Sequence, residues 1–146
     1  MKSEFAPSPA RWMLVDDDDS LRVTIAKLLA AIAGVEVVSF SSGAAALKAF
    51  AAAPDTFALI VSDLDMPEMS GIEFCRRIKA VSQHQKILLA TGSGIITQEE
   101  APGFGFCGLI SKPFSVATLR RALADAAMLE FHQPDQVGIA PVCVAA

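Results

Sequence analysis

The chain has 146 residues, of which 53% are hydrophobic and 19% are charged, and its formal net charge is −4. This composition is that of a globular protein, and the length fits one domain that buries roughly 70% of its unfolded surface. The longest stretch without a charged residue runs from Ile87 to Gln98, which is much shorter than the roughly twenty apolar residues of a spanning helix. The sequence therefore excludes disorder of the whole chain and predicts no membrane-spanning helix.

The charge balance limits which kinds of partner the protein can bind, and the cysteines indicate the cellular compartment. The sequence pI is near 5.1, and an acidic chain lacks the basic surface with which proteins bind nucleic acid. The N-terminus has no apolar targeting segment. Cys75, Cys107 and Cys143 lack metal-ligand spacing, which is typical of reduced thiols. We therefore expect a cytoplasmic protein that binds neither nucleic acid nor membrane.

Short apolar segments alternate with helical patterns along the chain. Strands are predicted at residues 12–15, 35–40, 58–61, 87–90 and 107–110. A first helix follows the first strand and stops at Gly34, and further helices are predicted at 44–53, 71–81 and 115–130. Two prolines within residues 1–10 indicate a loose leader, so the domain is expected to span 11–130. Residues 131–146 form a tail that is too short for an output domain.

The strand pattern predicts the fold class. The strands are apolar on both faces and are separated by helices, which is typical of a parallel sheet covered on both sides. Five such units predict an α/β fold, a flavodoxin-like doubly wound five-stranded sheet of (βα)5 type. The fourth helix is expected to be short or irregular, because the segment 95–106 contains Pro102, Gly103 and Gly105. Thr97 and Glu100 have capping-box spacing and predict one or two turns before Pro102.

Acidic residues follow two of the predicted strands. Asp16 and Asp17 come directly after the first strand, and Asp63 follows the third. Because ligands of such folds sit at the carboxyl ends of the strands, these carboxylates are expected to meet there. Clustered carboxylates repel one another, and a hard divalent cation such as Mg²⁺ relieves that repulsion. The sequence therefore predicts a Mg²⁺ site.

The other strand ends supply groups that bind phosphate. Lys112 follows the fifth strand and can pair with a phosphoryl oxygen, and Thr91 at the end of the fourth offers a hydroxyl. Gly92 leaves its backbone N–H accessible. These groups neutralise charge on a transferring phosphoryl group while one carboxylate acts as the nucleophile.

Four motifs carry a resemblance to a known family. They are Val15-Asp16-Asp17-Asp18, Ser62-Asp63-Leu64-Asp65-Met66-Pro67 with Gly71, Thr91-Gly92, and Lys112-Pro113-Phe114. In this order and at these intervals, over about residues 11–130, the chain resembles the receiver domain of two-component response regulators. The pattern from Thr91-Gly92 to Lys112-Pro113-Phe114 resembles receivers attached to hybrid sensor kinases more than those of transcription factors.

The resemblance implies a ligand set for the cation. Asp63 would be the phosphoacceptor, and Asp17 and Asp63 would ligate Mg²⁺ directly. Asp16 would hold the ion through water, and the backbone carbonyl of Asp65 would complete the protein ligands. Asp18 and the following Asp19 are instead interpreted as a helix start that complements the helix dipole.

The resemblance also implies how the phosphoryl group is held. Thr91, Gly92 and Lys112 would contact it, and the peptide bond between Lys112 and Pro113 would be cis. One position departs from the family pattern. Leu109 stands three residues before the lysine, where family members often carry an aromatic switch residue. An aromatic rotamer coupled to Thr91 is therefore excluded as the switch.

The function implied by the resemblance is that of a phosphorelay switch rather than a metabolic enzyme. The domain would accept a phosphoryl group from a histidine kinase or a histidine phosphotransfer protein, and would promote its own phosphorylation and dephosphorylation. The partner would dock on the helix that begins at Asp19 and on the last helix. Stand-alone regulator, receiver of a hybrid kinase, and homodimer all stay compatible with the sequence, and the downstream target is unknown.

Two other hypotheses remain. Asp63-Leu64-Asp65 after an apolar strand is similar to the motif of haloacid-dehalogenase-type phosphatases, in which Asp65 would be the general acid. The chain has no room for a substrate cap, Pro67 does not fit that motif, and the Asp16–Asp17 pair would stay unexplained. The third hypothesis is a binding module that works without phosphorylation.

Overall fold

The computed structural model describes residues 11–125. Its strands are β1 (Arg11–Val15), β2 (Glu36–Phe40), β3 (Phe57–Asp63), β4 (Ile87–Thr91) and β5 (Gly108–Ser111). Its α-helices are α1 (Asp19–Ala33), α2 (Gly43–Ala52), α3 (Gly71–Val81) and α4 (Val116–Asp125), and two short 3₁₀ turns lie at Pro54–Thr56 and Ala101–Phe104. The five strands form one sheet in the order β2-β1-β3-β4-β5, which confirms the predicted fold class.

All neighbouring strands pair in parallel, and their register brings the strand ends together. Val15, the last residue of β1, lies opposite Ser62 of β3. Asp63 in turn lies opposite Ala90, and Thr91 lies opposite Ser111. The residues that follow β1, β3, β4 and β5 are therefore delivered to the same edge of the sheet.

The core consists of two apolar clusters, one on each face of the sheet. Alternate residues such as Met13 and Ile60 pack on one side against helices α2 and α3. Their neighbours along the strands, such as Leu14 and Leu59, pack on the other side against α1 and α4. Burial on both faces explains why the inner strands β1, β3 and β4 are largely apolar rather than alternating.

The start and end of α1 follow the predicted signals. The side chain of Asp18 caps the helix by accepting a hydrogen bond from the backbone N–H of Leu21. Asp19 lies in the first turn, where a negative charge is favourable to the helix dipole. The helix ends at Gly34, whose φ of 68° is left-handed. The interpretation of Asp18 and Asp19 as a helix start is confirmed.

The connection between β4 and β5 contains no α-helix. The backbone N–H of Thr97 donates to the carboxylate of Glu100, and the N–H of Glu100 donates to the hydroxyl of Thr97. This confirms the capping box. The helical turn, however, is the 3₁₀ turn Ala101–Phe104, which contains Pro102 instead of ending before it. Proline is tolerated there because the first residues of a helical turn have no use for their N–H groups.

Several predictions concern residues that the structure does not describe. The leader 1–10, the tail 131–146 with Cys143, and the end of the last helix at 126–130 all lie outside the described residues. Within residues 11–125, no helix is long and apolar enough to cross a membrane.

Candidate functional site

Three carboxylates meet at the carboxyl edge of the sheet. Asp16, Asp17 and Asp63 each offer an oxygen, and these oxygens lie within 4.8 Å of one another. Asp16 and Asp63 are buried, whereas Asp17 is exposed. Grouped carboxylate oxygens are the donor set that hard divalent cations prefer. The acidic cluster predicted from the sequence is therefore formed, and it can bind such a cation.

Lys112 reaches into this cluster from the end of β5. Its Nζ lies 2.8 Å from Asp16 Oδ2 and 3.3 Å from Asp63 Oδ1. The side chain of Lys112 is 14% exposed, so the ammonium group is held in a partly buried setting. Ion pairs are stronger in such settings than on an open surface. Lys112 thus links the two buried acids.

Each polar group of Asp16, in the backbone and in the side chain, forms a hydrogen bond. Its backbone N–H donates to the carbonyl of Phe40, and its Oδ1 accepts the N–H of Asp18 at 2.9 Å. Its carbonyl accepts a hydrogen bond from Nη1 of Arg22 at 3.0 Å, while its Oδ2 accepts Lys112. These bonds fix the loop between β1 and α1.

Asp63 is the last residue of β3, and the loop that follows it packs closely against its backbone. Its Oδ1 accepts the N–H of Leu64 at 2.8 Å, and its carbonyl accepts the hydroxyl of Ser62. The loop then returns so that the N–H of Gly71 donates to the carbonyl of Leu64. A Cβ at position 71 would lie 2.3 Å from the carbonyl oxygen of Asp63. Gly71 is therefore required by the close approach of the two backbones.

The electrostatics of the pair follow from burial and charge. Burial raises the pKa of Asp63, the ammonium of Lys112 opposes that rise, and the carboxylate of Asp16 adds to it. Burial by itself would lower the pKa of Lys112, but the hydrogen bonds and charges of Asp16 and Asp63 outweigh it and raise that pKa. Lys112 thus stays charged beside Asp63.

Thr91 lies at the same edge but is bonded to its own loop. Its Oγ1 accepts the backbone N–H of Ser93 at 3.1 Å and lies 3.3 Å from Ser93 Oγ. Gly92 between them is exposed, and a Cβ there would lie 3.9 Å from Cβ of Lys112. A Cβ added at Gly92 would therefore make no more than ordinary van der Waals contact with Lys112.

The remaining predicted positions lie on the loop after β3, within β5 and just after β5. Asp65 is exposed on the loop after β3. The peptide bond between Lys112 and Pro113 is cis. Leu109 is buried, and its carbonyl accepts the side-chain amide of Gln98 at 2.8 Å.

Sequence reasoning missed Arg22, Ser93 and Gln98. Arg22 had a detectable signal, because a basic residue in the first turns of a helix opposes the helix dipole and needs a local reason to be there. No sequence pattern marked Ser93 or Gln98. Their hydrogen bonds to Thr91 and to the carbonyl of Leu109 form only in the folded loop.

Comparison with known proteins supports the geometry. Residues 13–124 match the family model described as the response regulator receiver domain. The chain is 33% identical over 110 residues to the response regulator receiver protein CpdR of Brucella abortus, covering 75% of this chain and 89% of CpdR. It is 33% identical over 111 residues to the transcriptional regulatory protein FixJ of Azorhizobium caulinodans, covering 75% of this chain and 51% of FixJ. The chain thus spans most of CpdR but only about half of FixJ.

Solved structures agree with this. A response regulator receiver domain protein from Clostridium thermocellum has a TM-score of 0.73 at 27% identity, covering 80% of this chain and 93% of that one. The chemotaxis protein CheY4 of Vibrio cholerae has a TM-score of 0.71 at 30% identity, covering 82% of this chain and 99% of that one.

Proposed function

Because the chain belongs to the response regulator receiver family, we propose that Asp63 is its phosphoacceptor and that phosphorylation switches partner binding. The observation that carries this proposal is the placement of Lys112, whose Nζ lies within 3.3 Å of Asp63 and is anchored on Asp16. Family membership supports the phosphorelay receiver over the haloacid-dehalogenase-like phosphohydrolase. The chain is then a switch that assists its own phosphorylation and dephosphorylation rather than a metabolic enzyme.

The acidic cluster is the proposed Mg²⁺ site. Asp17 and Asp63 would ligate the ion directly, Asp16 through water, and Asp65 through its backbone carbonyl. The chemistry of the donors fits, because three carboxylate oxygens lie within 4.8 Å of one another and carboxylate oxygens are ligands that Mg²⁺ prefers. When bound, Mg²⁺ supplies neutralising charge for the transferring phosphoryl group.

The proposed phosphoryl transfer depends on side chains and backbone groups of this chain. An ionised oxygen of Asp63 attacks the phosphorus of a phosphohistidine, the P–N bond breaks, and its electron pair remains on the imidazole nitrogen. Lys112 favours the ionised form of Asp63 and can pair with a phosphoryl oxygen. Thr91 and Gly92 would contact the remaining oxygens through the hydroxyl and the backbone N–H. The product is an aspartyl phosphate.

The proposed donor is a histidine kinase or a histidine phosphotransfer protein. An apolar groove of about 370 Å³ lies beside Lys112, lined by side chains of α1 such as Leu21, Ile25 and Leu28 and by Phe114. A helix that carries a phosphohistidine could pack its apolar residues there and present the imidazole to Asp63. We place this exchange in the cytoplasm, since Cys75 and Cys107 are free thiols, as is usual in reducing compartments.

Intact mass after incubation with acetyl phosphate tests the proposal. We expect one phosphoryl adduct on the wild-type protein with Mg²⁺, and none without Mg²⁺ or on Asp63→Asn. Asp65→Asn is the matched control, because only its backbone carbonyl is assigned a role, and it should still be labelled. Labelling of Asp63→Asn would refute the assignment of the phosphoacceptor. Repeated turnover of a phosphomonoester that Asp65→Asn abolishes would instead indicate the hydrolase.

A further inference from the structure

Arg22 of α1 contacts the backbone that carries the acidic pair. Its Nη1 donates to the carbonyl oxygen of Asp16 at 3.0 Å and lies 2.8 Å from Oδ1 of Asp19. The Arg22 side chain is 17% exposed, whereas that of Asp19 is 83% exposed. The guanidinium therefore faces the loop between β1 and α1, and its ion-pair partner faces the solvent.

The bonded carbonyl belongs to the peptide unit that joins Asp16 to Asp17. Asp16 is fixed by several other bonds, but Asp17 is exposed. The direction of an exposed side chain depends on the orientation of its own backbone. A donor that fixes the peptide before Asp17 therefore also limits where the carboxylate of Asp17 can point.

We propose that Arg22 is a positioning residue of the metal site, which holds the peptide between Asp16 and Asp17 so that Asp17 stays within the acidic cluster. This inference rests on the proposed function of that cluster. Arg22 acts through the backbone and ligates nothing itself. Groups that orient metal ligands in this way typically contribute about 10- to 100-fold to metal affinity.

The charge of Arg22 does not decide the effect. Removing Arg22 takes one positive charge from the neighbourhood of the metal site and leaves Asp19 unpaired, and both changes would by themselves favour cation binding. The positioning role requires the loss of the bond to Asp16 to outweigh this change in charge. The expected sign is a loss of metal affinity, opposite to the gain that relief of repulsion would give.

The test is the affinity of the apo protein for Mg²⁺, measured by calorimetry, and for Mn²⁺, measured by the loss of its free-ion paramagnetic resonance signal. Arg22→Met keeps the apolar stem and removes the donor. We expect it to bind both ions about tenfold more weakly, with Arg22→Lys between it and the wild type. Asp19→Asn removes only the exposed partner and should stay within about twofold of the wild type.

A second measurement separates positioning from general damage to the fold. Labelling of Arg22→Met by acetyl phosphate should be slow at low Mg²⁺ and should recover to the wild-type rate at saturating Mg²⁺. If Arg22→Met fails to fold, Arg22→Leu, which also lacks a donor, takes its place in both measurements.

The outcomes distinguish this inference from the proposed function. A wild-type protein that neither binds Mg²⁺ nor is labelled refutes the function itself. Normal wild-type behaviour together with unchanged metal affinity in folded Arg22→Met refutes only the role of Arg22. An equal loss in Asp19→Asn also refutes it, because the ion pair rather than the bond to Asp16 would then be responsible.

Discussion

Lys112 lies closer to Asp16 than to Asp63: its Nζ is 2.8 Å from Asp16 Oδ2 and 3.3 Å from Asp63 Oδ1. The side chain of Asp16 is 2% exposed and that of Asp63 is 11% exposed, so the deeper acid anchors the ammonium group. The ammonium group of Lys112 is thereby held beside Asp63, the proposed phosphoacceptor, before the proposed transfer begins. A charge fixed in advance costs little reorganisation when the reaction occurs.

Replacing Lys112 by Met should destabilise the protein by about 1–3 kcal/mol without Mg²⁺, because the buried carboxylate of Asp16 loses its closest cation and a hydrogen-bond donor. Addition of Mg²⁺ should recover more stability in Lys112→Met than in the wild type, since the variant no longer repels the ion. Urea unfolding with and without Mg²⁺ measures both effects. Lys48→Met, an exposed change on α2, is the control and should be nearly neutral. An equal response to Mg²⁺ in Lys112→Met and the wild type would contradict the prediction.

Asp63→Asn should stabilise the metal-free protein at neutral pH. Because the folded-state pKa of Asp63 is raised above its ordinary value of 3.8, the protonated form favours folding. That contribution is fully present below the ordinary pKa and is lost as the pH rises through the folded-state pKa. Asparagine does not ionise, so the variant does not lose this stability as the pH rises. Its advantage in urea unfolding should therefore be largest near pH 7 and should shrink toward pH 4. An advantage independent of pH would mean that ionisation of Asp63 is not its cause.

Gly71→Ala should damage both the fold and the site. The added Cβ would lie 2.3 Å from the carbonyl oxygen of Asp63 and 3.0 Å from Cα of Leu64, so the end of β3 must shift. We expect a loss of roughly 2–3 kcal/mol in urea unfolding and slower labelling by acetyl phosphate. Gly94→Ala, where an added Cβ meets nothing within 4 Å, should change stability by less than about 0.5 kcal/mol. Equal effects of the two changes would be inconsistent with the close approach.

Glu68→Asn should stabilise the protein by roughly 0.5–1 kcal/mol, because Glu68 has a φ of 70° and asparagine adopts this left-handed conformation more readily than glutamate. The backbone N–H of Met69 donates to the carbonyl of Pro67 across this residue, so the turn is tight. Urea unfolding measures the gain. Glu68→Ala lacks the short polar side chain that lets asparagine hydrogen-bond locally in this conformation, and it should show no comparable gain. An equal gain from alanine would mean that the carboxylate of Glu68, not its backbone, is unfavourable.

The spacing of apolar residues predicted most of the architecture, because it depends directly on which residues are buried. Strands buried on both faces must be continuously apolar, and α3 has the predicted bounds because Ser70, Gly71 and the spacing of Ile72, Cys75 and Ile78 all belong to one short stretch. The connection between β4 and β5 was harder to predict. Pro102 was expected to end a helical turn, yet it lies inside one, because which N–H groups a turn needs depends on where that turn begins.

The sequence by itself determined the order of the elements and the residues at the strand ends, since parallel strands deliver their carboxyl ends to one edge whatever their detailed packing. That is why Asp16, Asp63, Thr91 and Lys112 could be grouped before their distances were known. Only the tertiary structure decided that Lys112 anchors on Asp16, that Thr91 bonds to Ser93, and that Arg22 reaches the peptide before Asp17. These contacts depend on side-chain direction and loop path, which spacing along the chain does not encode.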